Sequence, residues 1–118
     1  MGGWTSSVSR ATYRYIQQDN RWEQKRDMNE SRSSPGCGRV INPRTRKEEV
    51  VVSAGYSSGA TLSTEIYNVE NDTWREGPHL PQALYNLASL PYEDTFLILG
   101  GYDGSACFDS IYQVRTWV

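Results

Sequence analysis

This chain is short of most of the residues that announce a chemistry. Its 118 residues hold one histidine, two cysteines and two phenylalanines. No apolar run approaches the ~18–20 residues that cross a membrane as a helix, and no stretch keeps a helical period. A structural zinc site takes four Cys or His ligands, and Cys37, His79 and Cys107 are all the chain has. No CxxC is present, so the two thiols read as buried cysteines in a reducing compartment, with a single disulfide as the other reading. His79 stands in Gly77-Pro78-His79-Leu80-Pro81, a connector, with no Ser or Cys at a nucleophile elbow to activate. Catalytic, metal and cofactor-binding residues are therefore expected to be none. The lack of a secretory signal or membrane span places the expected location inside the cell, in the cytoplasm.

Charge of one sign is also scarce overall, but it is unevenly placed. Net charge is −2, yet residues 1–50 carry +4 and residues 51–118 carry −6. The basic residues of the first half are scattered and interleaved with acids, which suits a solvated surface better than a phosphate-binding face. Nucleic acid and membrane are not expected partners. Met1-Gly2-Gly3-Trp4-Thr5-Ser6 fits a myristoylation pattern, and Asn29-Glu30-Ser31 and Asn71-Asp72-Thr73 fit glycosylation sequons. Turn and backbone chemistry explains all three sites more simply.

What the chain does have is aromatic residues, 12% of the total, with eight Tyr and four Trp. They recur. Gly3, Tyr15 and Trp22 are followed 52 residues later by Gly55, Tyr67 and Trp74. A third, shifted copy starts at Gly100-Gly101 and reaches Ile111-Tyr112. A period near 50 residues marks an array of similar units.

Each unit reads as short strands between turns. Glu49–Gly55 and Thr95–Gly101 are apolar runs ending in glycine, as strands buried on two faces do. Weaker strands precede them at Gly36–Ile41 and Tyr85–Leu90, joined by loops at 42–47 and 91–94. Third strands follow at Ser63–Val69 and Ser110–Val114, and a fourth opens at Thr73-Trp74 after an Asn/Asp turn. The N-terminal segment repeats only the later part, Tyr13–Ile16 and Arg21-Trp22. The expected fold is all-β, built from antiparallel four-stranded sheets repeated radially as propeller blades.

The double glycine, the Tyr-Asp-Gly loop at 102–104, the Tyr ending the next strand and the Trp after an Asn/Asp turn resemble the kelch repeat family. The resemblance implies an incomplete kelch β-propeller of about two and a half blades. Its divisions are the second half of one repeat at 1–34, a complete repeat at 35–83 and a partial repeat at 84–118. It further implies a fragment of a longer array, or a short form that self-associates through its open edges.

The same resemblance implies a non-enzymatic scaffold for a protein partner, such as the substrate-recognition part of an adaptor for a cullin-type ubiquitin ligase. Actin association is the alternative, and a kelch-fold enzyme fragment the remote one. In such adaptors the Tyr after Gly-Gly and an Arg beyond the Trp face the channel mouth. The matching residues are Tyr56, Tyr102 and Arg32, which make the candidate protein-binding set; the equivalent of Arg32 in the second unit is Leu84. Gly3, Tyr15, Trp22, Gly55, Tyr67, Trp74, Gly100, Gly101 and Tyr112 are expected to serve packing. Trp117 stands out of register with the other tryptophans.

Overall fold

A computed structural model describes residues 1–117. It is all-β, with nine strands and a single 3-10 turn among the described residues. The strands are β1 (Thr12–Ile16), β2 (Arg21–Lys25), β3 (Gly36–Ile41), β4 (Glu48–Ser53), β5 (Thr64–Asn68), β6 (Thr73–Glu76), β7 (Ala88–Tyr92), β8 (Thr95–Leu99) and β9 (Ile111–Val114). They form three antiparallel meanders: β1-β2, β3-β4-β5-β6 and β7-β8-β9.

The hairpins explain much of the sequence pattern. Tyr15 lies opposite Trp22 and Tyr67 opposite Trp74, so the recurring Tyr–Trp spacing is a cross-strand pair closed by a short turn. Asn20 and Asp72 close these turns in left-handed conformation, φ 49° and 53°, which Asn and Asp adopt more readily than other side-chain-bearing residues. Successive residues point to opposite faces of a strand. Hence Val50, Val52, Glu65 and Tyr67 look toward the first sheet, and Gly38, Val51 and Ile66 toward the third.

The main apolar core lies between the second and third sheets. Val40, Val51, Ala54, Leu80, Leu84, Phe96, Ile98 and Val114 are buried together. Glycine makes the close approach possible: a Cβ on Gly38 would sit 2.5 Å from the Phe96 ring. The polypeptide between sheets, residues 26–34 and 77–87, wedges a residue of 0% exposure into each joint. These are Arg32 at the first joint and Leu84 at the second.

Two local expectations need correction. The strand expected at Tyr85–Leu90 runs instead from Ala88 to Tyr92, and Pro91-Tyr92 belong to it rather than to the loop. Residues 84–86 are held by bonds to neighbouring loops, and Pro91, lacking an N–H, is accommodated because β7 is an edge strand. The thiols are not buried. Cys37 and Cys107 are both free and exposed; Cys37 lies on β3, and Cys107 lies on a loop outside the named strands.

Candidate functional site

The loop after each paired glycine position doubles back on itself, bridging Trp4 to Val8, Tyr56 to Ala60 and Tyr102 to Cys107. The aromatic residue of the second and third loops also grips the preceding connector. Tyr56 N–H donates to Ser33 O at 2.8 Å and Ser33 N–H returns the bond at 2.8 Å. Tyr102 and Tyr85 exchange the same pair at 2.9 Å each. Ser33 and Tyr85 are 52 residues apart, so the two clamps are copies.

The second clamp holds a tyrosine where the first holds a serine, and this assembles a row. The Tyr85 ring meets Tyr56 edge-on at 5.3 Å and Tyr102 edge-on at 5.4 Å, with interplanar angles of 71° and 80°. Edge-to-face contact is the favoured arrangement of aromatic quadrupoles. Burial against its neighbours pushes the Tyr85 phenol above the usual tyrosine range, with Tyr102, Tyr56 and the Asp103 carboxylate adding to the shift. Asp103 is held below the ordinary carboxylate range by N–H groups of Ala106 and Ser105, each at 2.8 Å, which order the neighbouring loop. Tyr85 is therefore a neutral hydrogen-bond donor at neutral pH beside a fixed negative charge.

Of the three candidate binding residues, Tyr56 and Tyr102 come together through Tyr85, while Arg32 is elsewhere and inaccessible. Arg32 is 0% exposed. Its Nη1 donates to Ala54 O and Ser63 O, both at 3.0 Å, and its Nη2 to Ser63 Oγ at 3.0 Å and Glu65 Oε2 at 2.8 Å. Glu65 also accepts the Asn29 and Glu30 N–H groups, at 2.7 and 3.1 Å. The guanidinium ties the first connector to the second sheet and does not face a partner. The surrounding acidic pocket, a cavity of about 370 Å³ lined by Asn29, Glu30, Ser63, Thr64, Glu65 and Glu76, has its inner carboxylate already occupied by this network.

The packing residues divide by location. Tyr67 hydroxyl donates to Asp72 Oδ1 at 2.7 Å, the same oxygen accepts Arg26 N–H at 2.9 Å, and Trp74 Nε1 donates to Arg26 O at 2.8 Å. Burial, then the bond to the Asp72 carboxylate, drives the Tyr67 phenol far upward. Tyr15 makes the equivalent bond to Asn20 Oδ1 at 2.6 Å, but Tyr15 and Trp22 remain exposed. Gly3, Gly55 and Gly101 share a left-handed turn, φ 103–114°, and Gly100 precedes the last of them at φ 66°. Tyr112 packs half-buried on the apolar core. The Trp117 indole lies beside the Arg115 and Arg44 guanidinium groups, at 5.1 and 6.0 Å.

The row's central member, Tyr85, was missed by the sequence reading; aligning it with Ser33 through the 52-residue period would have found it. Among the described residues no three His, Cys, Asp or Glu side chains converge as a metal site would require. His79 pairs with Glu76 at 2.6 Å on an exposed strand end. No helix of the described residues is long and apolar enough to cross a membrane.

No family model matches the chain, and no curated protein matches it. Among solved structures it is similar to YjhT, a bacterial protein, with a TM-score of 0.74 at 13% identity over 93% of this chain. The match covers 36% of that structure's length. The likeness concerns fold alone. It corrects the kelch assignment: the structural neighbour found is YjhT, and no kelch repeat family is indicated. The physical reason is that the Gly–Tyr–Trp spacing encodes a left-handed turn and a cross-strand aromatic pair. Such local geometry is required by the hairpin and carries no family of its own.

Proposed function

We propose that the chain is a non-enzymatic protein-binding module, an arc of a β-propeller whose contact surface is the row Tyr56–Tyr85–Tyr102. The row carries the reading: three tyrosines in edge-to-face contact, on loops locked by paired backbone bonds, with an ordered carboxylate alongside. Tyrosine supplies large contact area with few torsions to freeze and is enriched among residues that dominate binding energy. Propeller geometry is supported by successive meanders in chain order and by glycines at the closest approach of β3 to β8. The ligase and actin readings rested on the family resemblance and have no support without it.

Affinity capture with the folded chain tests the proposal when paired with two variants. Tyr85→Ala with Tyr102→Ala should reduce capture of specific partners at least tenfold, while Tyr92→Ser, on an exposed position of β7, leaves it unchanged. A captured set identical for all three proteins would sink the assignment. Thermal melts establish that each variant is folded.

A further inference from the structure

The tyrosine row sits on a surface with almost no charge. Residues 33–36, 55–60, 84–87 and 101–107 build its two clamps and their loops, and Asp103 is their one charged residue. Its Oδ1 accepts the Ser105 and Ala106 N–H groups, both at 2.8 Å, while Oδ2 accepts no bond among the described residues. Other ordered carboxylates meet a cation of this chain: Glu65 pairs with Arg32 and Glu49 with Arg75. Asp103 is held in its charged form by backbone N–H groups alone.

A carboxylate fixed by its own loop, with a free oxygen and no internal counter-ion, attracts a positive group from outside. The rings around it decide which cation fits. With centroids 5.3 and 5.4 Å apart, the tyrosines leave no room between them for a trimethylammonium. Their two edge-on contacts cover two ring faces at most, so other faces lie outside the row's own packing. Tyr56 is 39% exposed. A guanidinium is planar and weakly hydrated; it stacks on an aromatic face and turns its N–H fork to a carboxylate. An ammonium is a compact, strongly hydrated point charge and gains less from the rings. A phosphodiester backbone or an acidic segment would be repelled, the more so because residues 51–118 carry −6.

We infer that the partner presents an arginine to this site, its guanidinium stacked on the exposed tyrosine rings and ion-paired with Asp103 Oδ2. The assignment rests on the tyrosine row being the contact surface and adds the chemistry of the residue it takes. The partner is then a polypeptide with a basic segment, drawn by electrostatic attraction toward the acidic part of this chain. Tyrosine rings give contact area to many side chains. Asp103 is the residue that sets specificity, because an acidic segment meets like charge there and a neutral one leaves the carboxylate unpaired.

The test uses the full chain and pools of immobilised nonapeptides, with a central arginine, lysine, citrulline or glutamate among random uncharged residues. Citrulline keeps the planar shape of arginine without its charge. The arginine pool should retain the chain at least tenfold more than the citrulline pool and severalfold more than the lysine pool, with the glutamate pool weakest. Asp103→Asn keeps an Oδ1 acceptor for both N–H groups and removes the charge. It should bring the arginine pool down to the citrulline level, and unchanged amide exchange at Ser105 and Ala106 shows that the loop stays ordered. Glu93→Gln, which removes an exposed charge from the β7–β8 turn, should leave retention as it is. Equal arginine and citrulline pools, a preferred glutamate pool, or no retention by any pool would overturn the proposal. So would an Asp103→Asn chain that still selects arginine, or a Glu93→Gln loss of the same size. The two assignments are distinguishable. If Tyr85→Ala with Tyr102→Ala abolishes retention and Asp103→Asn does not alter it, the row stands and the arginine falls. If the tyrosine variant changes nothing while Asp103→Asn does, the row falls as a contact surface and the stacked arginine with it.

Discussion

The two joints of this molecule occupy equivalent places and solve the same problem with opposite chemistry. Between the second and third sheets the wedge is Leu84, packed with Leu80, Val51, Phe96 and Ile98 in a continuous apolar cluster. Between the first and second sheets the wedge is Arg32, buried as completely, and four hydrogen bonds replace the apolar contacts. The difference follows from what each wedge meets. Arg32 reaches the Glu65 carboxylate and the Ala54 and Ser63 carbonyls; the position equivalent to Glu65 in the third unit, opposite Ile98 as Glu65 is opposite Val52, is Tyr112, which offers no carboxylate. An apolar joint tolerates imperfect geometry, whereas a buried ion pair depends on every partner being present.

Exchanging the wedges is the sharpest way to break the comparison. Leu84→Arg would bury a guanidinium with no carboxylate to meet it, and we expect a loss above about 4 kcal/mol, seen as absent cooperative unfolding in urea. Arg32→Leu leaves Glu65 with two backbone donors but no cation, for an expected loss of about 3 kcal/mol. Adding Glu65→Gln, which keeps an acceptor for Asn29 and Glu30 N–H, should recover at least half of that loss. If Arg32→Leu proved neutral by itself, the joint would be held by apolar contacts such as Met28 and not by the ion pair.

The next comparison sets the buried copy of the aromatic hairpin against its exposed copy. Trp74→Phe removes the indole bond to Arg26 O and should cost about 1 kcal/mol in urea unfolding. Trp22→Phe, at 68% exposure and with no sheet over it, should change stability by less than about 0.5 kcal/mol. Equal losses would mean that both tryptophans act through their own hairpins, leaving the joint without a contribution from Trp74.

Acid should act on the same pair unequally. Asp72 is held below the ordinary carboxylate range by the Arg26 N–H bond and then by the Tyr67 hydroxyl. Because its folded pKa is depressed, its contribution is fully present above the unfolded value, about 3.9. That contribution is lost as pH falls through the lower folded value. The Arg26 amide resonance should therefore titrate with a midpoint below about 3.9, and Asp72→Asn should abolish the step. Asn20 at the equivalent turn does not titrate, so the first hairpin provides an internal reference. A midpoint above 4 would reverse the sign of the contribution.

The strands were legible because the signals that define them are local. Glycine after an apolar run, an Asn/Asp turn and alternating burial all lie within one hairpin, and β3 to β6 fall where those signals place them. The joints were not legible in the same way. Arg32 looks like a solvated loop residue until Glu65, 33 residues away in another sheet, comes beside it. Cys37 reads as a buried thiol, yet it is exposed on β3. Tyr56 and Tyr102 could be named from their place after glycine, but their connection needed Tyr85, which occupies the place of a serine in the preceding copy.

The smallest expected effect concerns the residue before the turn glycine in all three units. Gly2, Ala54 and Gly100 adopt φ values of 71°, 62° and 66°, a region that costs an L-residue with a Cβ roughly 1–2 kcal/mol. Ala54 alone bears that strain. Its methyl is fully buried in the apolar core, where one buried carbon offsets about 0.8 kcal/mol of it. The strain exceeds the burial, so Ala54→Gly should stabilise the chain by about 0.5 kcal/mol, read as a rise of a few degrees in Tm. The reciprocal Gly100→Ala should cost at least about 1 kcal/mol, because its Cβ would also press on Phe108 O at 3.2 Å. Destabilisation by Ala54→Gly would show that the methyl contributes more to the joint than its turn conformation takes away.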